Sequence, residues 1–136
     1  MTGETNLDRL LATMQPRLRD GIYVFATVPD DVAPGLKAVM TFREEEGTTL
    51  ILEEGEALRA GLAGTFRSRM ITLDIHSSLE AVGFLAAITK RLAAAGMGVN
   101  PVSAFYHDHL FVPADRAEEA VQILERLSRE AGDGES

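Results

Sequence analysis

The 136-residue sequence predicts an α+β fold in which helices pack against an antiparallel sheet. Short runs of β-branched or alternating apolar residues are followed along the chain by stretches in which apolar residues recur at helical spacing. Glycine and proline separate most of these segments. Hydrophobic residues make up 46% of the chain and charged residues 25%, which is typical of a globular protein. A chain of this length forms one ordinary domain or two very small ones that need each other for stability.

The first half contains a helix, a strand, a hairpin and a second, short helix. These elements are predicted at residues 7–14 after the cap Asn6, at 22–28, at 37–43 and 48–53 with a turn between them, and at 56–64. Glu44, Glu45 and Glu46 at the hairpin tip are interpreted as a solvated charge run. Glu53, Glu54 and Glu56 are expected at the start of the short helix, where its dipole favours acids.

The second half reads as strand, helix, strand, strand, helix. Residues 67–75 alternate in polarity and predict a half-buried strand, and Ser77 or Ser78 is expected to cap a long helix that Gly96 and Gly98 stop. Two strands at 99–106 and 109–113 meet near His107. The last helix is predicted to begin at the cap Asp115, with its core face at Ala117, Ala120, Val121, Leu124 and Leu127.

This order is one strand short of the βαββαβ ferredoxin-like unit. An open sheet edge is a liability, so we expect residues 22–28 or a strand from a partner chain to supply the missing strand. The first half resembles a trimmed version of the same unit. We therefore predict two interlocked repeats, at residues 1–65 and 66–136, with the helices on one face of the sheet.

The charge and composition exclude several classes of function. With a net charge of −8 and no clustered basic residues, the chain is not expected to bind nucleic acid. The absence of cysteine excludes disulfides and thiolate chemistry. Neither a signal peptide nor an apolar run long enough for a membrane span is found in the sequence. A soluble, cytoplasmic protein is the expectation.

Three long segments carry a resemblance to a known family. They are NLDRLLATMQP…YVFATV, AVMTFREEEGTTLIL, and RMITLDIHSSLEAVGFLAAITKRLAAAGMGVNPVSAFYHDHLFVP, which together span nearly the whole chain. The chain resembles the small bacterial tandem ACT-domain proteins, and its second half is also similar to the ACT repeats of aspartate kinases and of animal cytosolic arginine sensors. This resemblance implies a regulatory module that binds a small molecule, typically an amino acid, and is not an enzyme. No cofactor is implied.

The resemblance also implies where a ligand would bind. The corresponding residues are His76, Ser77 and Ser78 after the strand, Gly96, Met97, Gly98, Val99 and Asn100 at the helix end, and Asp108 in the hairpin. Asp108 matches an effector-contacting aspartate of the arginine sensors, whereas Tyr106 stands where those sensors tend to have a second acid. Free amides at a helix N-terminus suit a carboxylate, and glycines permit close approach to the backbone. Gly96 and Gly98 can equally serve as a helix cap and turn, and Asn100 as a turn residue.

The stretch HDH at residues 107–109 raises the alternative of a metal site. His76 could approach His107 and His109 across paired strands, and three histidines can bind zinc. A hairpin turn is the preferred interpretation, because no general base accompanies the histidines and a zinc site needs a supporting shell of hydrogen bonds. No metal ligand set is therefore assigned. Ser103 lacks the context of a nucleophile, and the glycines at 96 and 98 follow a helix rather than a strand, unlike a dinucleotide-binding loop.

Three functions follow, in order of preference. The first is a non-catalytic regulatory module that binds a small molecule, by resemblance an amino acid, and forms a homodimer through exposed strand edges. The second is an oligomeric assembly protein whose cleft is vestigial. The third is a metal-dependent enzyme that uses the three histidines.

Overall fold

The structure, a computed structural model, describes residues 6–75, 77 and 81–133. These residues form helices and strands in the predicted order, with one additional short strand after the first helix. In chain order they are α1 Leu7–Thr13, β1 Pro16–Leu18, β2 Tyr23–Val28, β3 Met40–Glu44, β4 Gly47–Glu53, α2 Glu54–Arg59, β5 Thr65–Leu73, α3 Phe84–Ala94, β6 Asn100–Ser103, β7 Asp108–Pro113 and α4 Ala117–Asp133. Short 3₁₀ turns occupy Ala33–Gly35 and Ala114–Arg116.

All seven described strands belong to one antiparallel sheet in the order β3-β4-β2-β5-β7-β6, with β1 also paired to β5. Two ferredoxin-like units share this sheet. The first has the strand order β3-β4-β2-β5 and uses the beginning of β5, and the second has the order β6-β7-β5-β1 and uses its end. The predicted interlocking of two ACT-like repeats is therefore confirmed, and the long central strand β5 belongs to both.

The strand that completes the second unit is β1, which the sequence did not predict. Pro16, Arg17 and Leu18 pair with Leu73, Thr72 and Ile71, respectively. The predicted strand at residues 22–28 also borders β5, but at its beginning, opposite Ser68 and Thr65. The first helix, whose predicted cap Asn6 accepts a hydrogen bond from the Arg9 amide at 2.9 Å, packs with β1 on the second unit. The N-terminal segment thus belongs structurally to the second repeat.

The strand register shows that the two units are copies of one arrangement. In the first unit, Thr48 lies opposite Val28 on one side and Arg43 on the other. In the second unit, Asp108 lies opposite Leu73 and Ser103 in the same way. Side-chain burial follows the same correspondence: in both units, successive residues of the strand lie alternately in an apolar cluster under the helices and in a cluster on the other face of the sheet.

The helices cover one face of the sheet, as predicted, in two apolar clusters. The larger cluster lies under α1, α3 and α4 and is centred on Leu10, Ile71, Ile88, Leu110 and Leu124, all fully buried. The smaller cluster lies under α2 and the first 3₁₀ turn. It consists of Val24, Val28, Ala33, Leu50, Leu52 and Ala57. Fully burying a Leu or Ile side chain stabilises a fold by about 1.5–3 kcal/mol.

A third cluster lies on the opposite, helix-free face of the sheet. Its buried members are Tyr23, Ile51, Met70 and Phe111, and Phe25 and Phe66 pack against them. Phe66 has a positive φ of 59° at a register shift between β2 and β5, which marks a β-bulge. Bulges increase local twist and bend a strand. The bulge lies where the two repeats join, and the helix-free face is the concave inside of the curled sheet.

Four sequence predictions about local structure are wrong. The helix α3 begins at Phe84, after an N-cap at Gly83 with φ 90°, and not directly after Ser77. The strand β7 begins at Asp108, one residue before the predicted start at His109, so Asp108 lies in the strand and not in the turn. The strand β5 is buried on both faces over Met70–Leu73, because the concave face also carries a cluster. Asp115 lies in a 3₁₀ turn before α4.

Candidate functional site

A pocket of about 160 Å³ opens where α3 begins and β6 and β7 meet. Its polar side is formed by Ser77, Ser103 and Asp108, and its apolar side by Ala81 and the first turn of α3 from Gly83 to Ala86. Strand pairing explains why these residues meet. Leu73 at the end of β5 is opposite Asp108, which is opposite Ser103 at the end of β6.

Asp108 is the central polar group of this pocket. The residue is only 7% exposed, although β7 carries it at the end of the sheet. One carboxylate oxygen accepts a hydrogen bond from the Ser103 hydroxyl at 2.6 Å, and the other accepts one from the Ser77 hydroxyl at 3.3 Å. A carboxylate has about four lone-pair sites. Within residues 6–75, 77 and 81–133, the two serines are the side-chain donors to this carboxylate, which leaves two acceptor sites without a donor from that part of the chain.

The first turn of α3 supplies donors to the same pocket. Gly83 caps this helix without a side-chain hydrogen bond, and the first backbone bond of the helix runs from the Ala87 amide to the Gly83 carbonyl at 2.9 Å. The amides of Phe84, Leu85 and Ala86 precede that bond and have no intrahelical acceptor. Such amides, together with the helix dipole, favour an anionic group.

The structure brings together only part of the predicted ligand-binding set. Ser77 and Asp108 are joined by a hydrogen bond, whereas His76 and Ser78 lie outside the described residues. Gly96, Met97, Gly98, Val99 and Asn100 lie at the opposite end of α3. Asn100 pairs with Phe111, three positions along β7 from Asp108, which corresponds to roughly 10 Å at about 3.3 Å per residue.

The segment from Gly96 to Asn100 has evident structural roles. Gly96 follows the helix end with a φ of 73°, a conformation that favours glycine. Arg116 donates hydrogen bonds to the carbonyls of Ala95 at 2.9 Å and Gly96 at 3.3 Å. Met97 is buried in the larger cluster, and Val99 packs against it. Gly98 has open space around its α-carbon and an ordinary φ.

The histidines of the HDH stretch do not line the Asp108 pocket. The rings of His107 and His109 are 6.3 Å apart between centroids. Thr72 lies opposite His109, as expected for antiparallel pairing of the two strands. Within residues 6–75, 77 and 81–133, no three His, Asp or Glu side chains are grouped so that they could hold a metal ion.

The first repeat contains a corresponding pocket of about 410 Å³, which the sequence did not indicate. Thr48 occupies the place of Asp108 and donates a hydrogen bond to Asp30 at 2.7 Å. Arg43 occupies the place of Ser103 and also lines the pocket. A short 3₁₀ turn replaces the first helix of the unit, so this pocket is wider. The spacing of residues in the sequence did not indicate this pocket, because its lining residues lie in separate strands and turns.

Comparison with known proteins identifies the family. The ACT domain family matches the chain twice, at residues 2–69 and at residues 65–126. The chain belongs to the tandem ACT-domain proteins. A comparison with functionally curated proteins finds no match. Membership of this family supports a regulatory, ligand-binding module.

Solved structures similar to this ACT-domain protein include one with substantial sequence identity. A Vibrio cholerae protein of unknown function, described as a possible transport protein, is 42% identical over 90% of this chain and 95% of its own, with a TM-score of 0.82. The ligand-free regulatory subunit of aspartate kinase from Thermus thermophilus is 12% identical, with a TM-score of 0.65 over 86% of this chain and 97% of its own. An Agrobacterium tumefaciens protein is 16% identical over 85% of this chain and 89% of its own, with a TM-score of 0.65. At these low identities the last two show a shared fold.

One finding bears on the membrane. None of the helices in residues 6–75, 77 and 81–133 of the ACT-domain protein is long and apolar enough to cross a bilayer.

Proposed function

We propose that this tandem ACT-domain protein is a non-catalytic regulatory module of the cytoplasm that binds a small amino acid in the Asp108 pocket. The observation that carries the proposal is that a buried carboxylate and helix amides without an intrahelical acceptor line one pocket. An amino acid is a zwitterion and needs an acceptor for its ammonium group and donors for its carboxylate. Asp108 is the acceptor, and the first turn of α3 provides the donors.

The size and lining of the pocket favour a small ligand. Pockets for drug-sized ligands are typically about 300–1,000 Å³, whereas this one is about 160 Å³. Ala81, Phe84 and Leu85 offer an apolar wall to a short side chain. The second acid of the arginine sensors is absent, since Tyr106 occupies its position. We therefore expect a short, uncharged side chain rather than arginine.

A thermal-shift screen against the twenty amino acids tests the proposal. A ligand that binds only the folded state raises the melting temperature through mass action. The matched variants are Asp108→Asn, which removes the carboxylate charge at constant size, and Asp30→Asn, which does the same in the first-repeat pocket. We expect a small amino acid to stabilise the wild type and Asp30→Asn but not Asp108→Asn. No stabilisation by any amino acid, in a protein that melts cooperatively, would contradict the proposal.

We further propose that the protein forms a homodimer. The described strands β3 and β6 lie at the two ends of the sheet and, like the short strand β1, are each paired on one side only, and unpaired edges are templates for pairing with another chain. The exposed Phe42 of β3, 65% accessible, adds an apolar group beside one edge. Light scattering coupled to size-exclusion chromatography is expected to give twice the chain mass, and Phe42→Lys is expected to weaken the dimer. A monomer at micromolar concentration would contradict this second proposal and leave the ligand site untouched.

A further inference from the structure

A second kind of pocket lies inside the curl of the sheet, between its two edges. Its volume is about 180 Å³, and its lining is mostly apolar. Val39 and Met40 contribute from the β3 edge and Val102 from the β6 edge, while Met70 and Phe111 form the floor. Only strong curvature brings residues of opposite sheet edges to one pocket. The mouths of curled and closed sheets are common places for small apolar ligands.

The polar side chain that enters this lining from β7 is His109. Its Nδ1 lies 3.0 Å from the Thr72 hydroxyl oxygen, and that same oxygen accepts a hydrogen bond from an Arg19 guanidinium nitrogen at 3.1 Å. Thr72 is 1% exposed, so its hydroxyl proton needs an acceptor within the protein. Among the described residues that acceptor is His109 Nδ1. The neutral ring therefore carries its proton on Nε2.

The Nε2–H group of His109 is consequently a donor that the described residues leave unused. Burial first, and then the nearby His107, Arg19 and Arg17, lower the pKa of His109, which keeps the ring neutral near pH 7. Asp108, the next residue along the strand, projects from the opposite face of the sheet. The two pockets therefore share no polar side chain.

Charged groups of both signs lie near His109, since Arg19 and Arg17 lower its pKa and Asp108, the next residue along the strand, raises it. Arg17 is paired with Asp74 through bonds of 2.7 and 3.2 Å. Arg19 donates to Thr72, and no carboxylate in the described part of the chain pairs with it. The Arg19 guanidinium, which shares the Thr72 hydroxyl with the His109 ring, would therefore favour a negative group at His109 Nε2 next to the apolar cavity.

From this arrangement we propose that the pocket between the sheet edges binds a small amphipathic monocarboxylate, whose apolar body lies on Met70, Phe111 and Val102. Its carboxylate accepts the hydrogen bond from His109 Nε2, and Thr72 is the positioning residue that fixes the ring tautomer. The charge complementarity selects an anion rather than a neutral apolar molecule. The site goes beyond the proposed amino-acid pocket and is independent of it.

The experiment is a calorimetric titration of the full-length protein with 3-phenylpropanoate, with 3-phenylpropan-1-ol as the uncharged control. We expect the acid to bind the wild type at least about tenfold more tightly than the alcohol, since a hydrogen bond to a charged group contributes roughly 1.5–3 kcal/mol. His109→Phe keeps the ring and removes the donor, and is expected to abolish the preference for the acid. His109→Gln, whose side-chain amide can donate from a similar position, is expected to retain part of it.

Two further variants separate the roles of the neighbouring residues. Thr72→Val keeps the buried shape but releases the tautomer, so the preference for the acid is expected to fall severalfold. Asp30→Asn, in the first-repeat pocket, is expected to leave the titration unchanged. Equal binding of acid and alcohol, or an acid preference that survives in His109→Phe, would overturn the proposal. So would the absence of binding by both compounds, and a dimer that Met40→Asp dissociates would then show that a second copy covers the pocket.

Discussion

Thr48 in the first repeat and Asp108 in the second occupy equivalent positions in two copies of one strand arrangement. Each is buried, and each lies opposite the last residue of its unit's first strand, Val28 or Leu73. Their chemistry has diverged. Thr48 donates its hydroxyl proton to Asp30, whereas Asp108 accepts hydrogen bonds from two serines. The two repeats therefore provide the same backbone arrangement twice. The side chain at this position determines whether the pocket presents a hydroxyl group or a carboxylate.

The hydrogen bond from Ser103 to Asp108 is expected to stabilise the fold as well as the pocket. Replacing Ser103 by Ala leaves one oxygen of a buried carboxylate short of a donor, and we expect a loss of about 1–3 kcal/mol in the free energy of unfolding. Ser77→Ala is the matched control and is expected to lose less, because its bond is longer, at 3.3 Å against 2.6 Å. Urea unfolding measures both. Equal losses would indicate that the two hydroxyls are equivalent.

The N-terminal helix is expected to stabilise the second repeat although it lies at the other end of the chain. Leu10 is fully buried in the cluster under α3 and α4, so Leu10→Ala is expected to cost about 2–5 kcal/mol. The cap variant Asn6→Ala is expected to cost only about 1 kcal/mol. Hydrogen exchange of the Leu124 and Leu127 amides in α4 reports on the second repeat directly. Unchanged protection of those amides in Leu10→Ala would disprove the interlocked arrangement.

The two glycines after α3 are expected to respond differently to alanine. Gly96→Ala places a side chain at a φ of 73°, and we expect a loss of roughly 1 kcal/mol. Gly98 has an ordinary φ and open space where the β-carbon of an alanine would lie, so Gly98→Ala is expected to be neutral or slightly stabilising. Thermal unfolding of the two variants provides the comparison. A destabilised Gly98→Ala would show that this position has a requirement that the backbone does not reveal.

The stability of the protein is expected to fall in mildly acidic solution because of His109. Its pKa in the folded state lies below the ordinary value of 6.5, mainly through burial. The unfolded chain therefore takes up the proton more readily, and stability declines as the pH drops below about 6.5 toward the folded-state pKa. His109→Gln is expected to flatten this slope. Urea unfolding of both proteins between pH 7.5 and pH 5 is the measurement, and parallel slopes would contradict the assignment.

Ion pairs of carboxylates give a separate response at lower pH. Hydrogen bonding to Arg17 lowers the pKa of Asp74, and hydrogen bonding to Arg67 lowers that of Glu54. Their contribution is present above the ordinary carboxyl pKa values and is lost as the pH falls through the lowered ones. Sodium chloride at about 0.5 M is expected to weaken this contribution, because both pairs are partly exposed. The decline assigned to His109 is less sensitive to salt, since burial is its main cause.

The sequence predicted most of the fold because its periodic segments carry strong local signals. The hairpin of β3 and β4, the apolar face of α4 and the glycine stop of α3 all follow from residue spacing and turn chemistry. Family resemblance added the repeat structure. Asp108, chosen from that resemblance, is the residue around which the pocket is built.

The sequence failed where long-range pairing decides the structure. The three residues of β1 include Pro16, which locally reads as a helix stop, and only pairing with β5 makes them a strand. Pairing of Asp108 with Leu73 likewise extends β7 into what reads locally as a turn. The helix α3 starts later than predicted because Gly83, in a left-handed conformation, is its N-cap. The serines upstream are good capping residues, so the sequence favoured an earlier start. Ser103 was not predicted as a residue of the site, and it lines the pocket because the strand register places it opposite Asp108.

The most direct test of the amino-acid site is an amide NMR titration of the isotope-labelled protein with the amino acid that stabilises it most. We expect the largest shift changes at Phe84, Leu85 and Ala86, with further changes at Ser103 and Asp108, and we expect Asp108→Asn to remove them. Changes confined to the first-repeat pocket around Thr48 and Arg43, or to Gly96–Asn100, would contradict the assignment of the amino-acid site to Asp108.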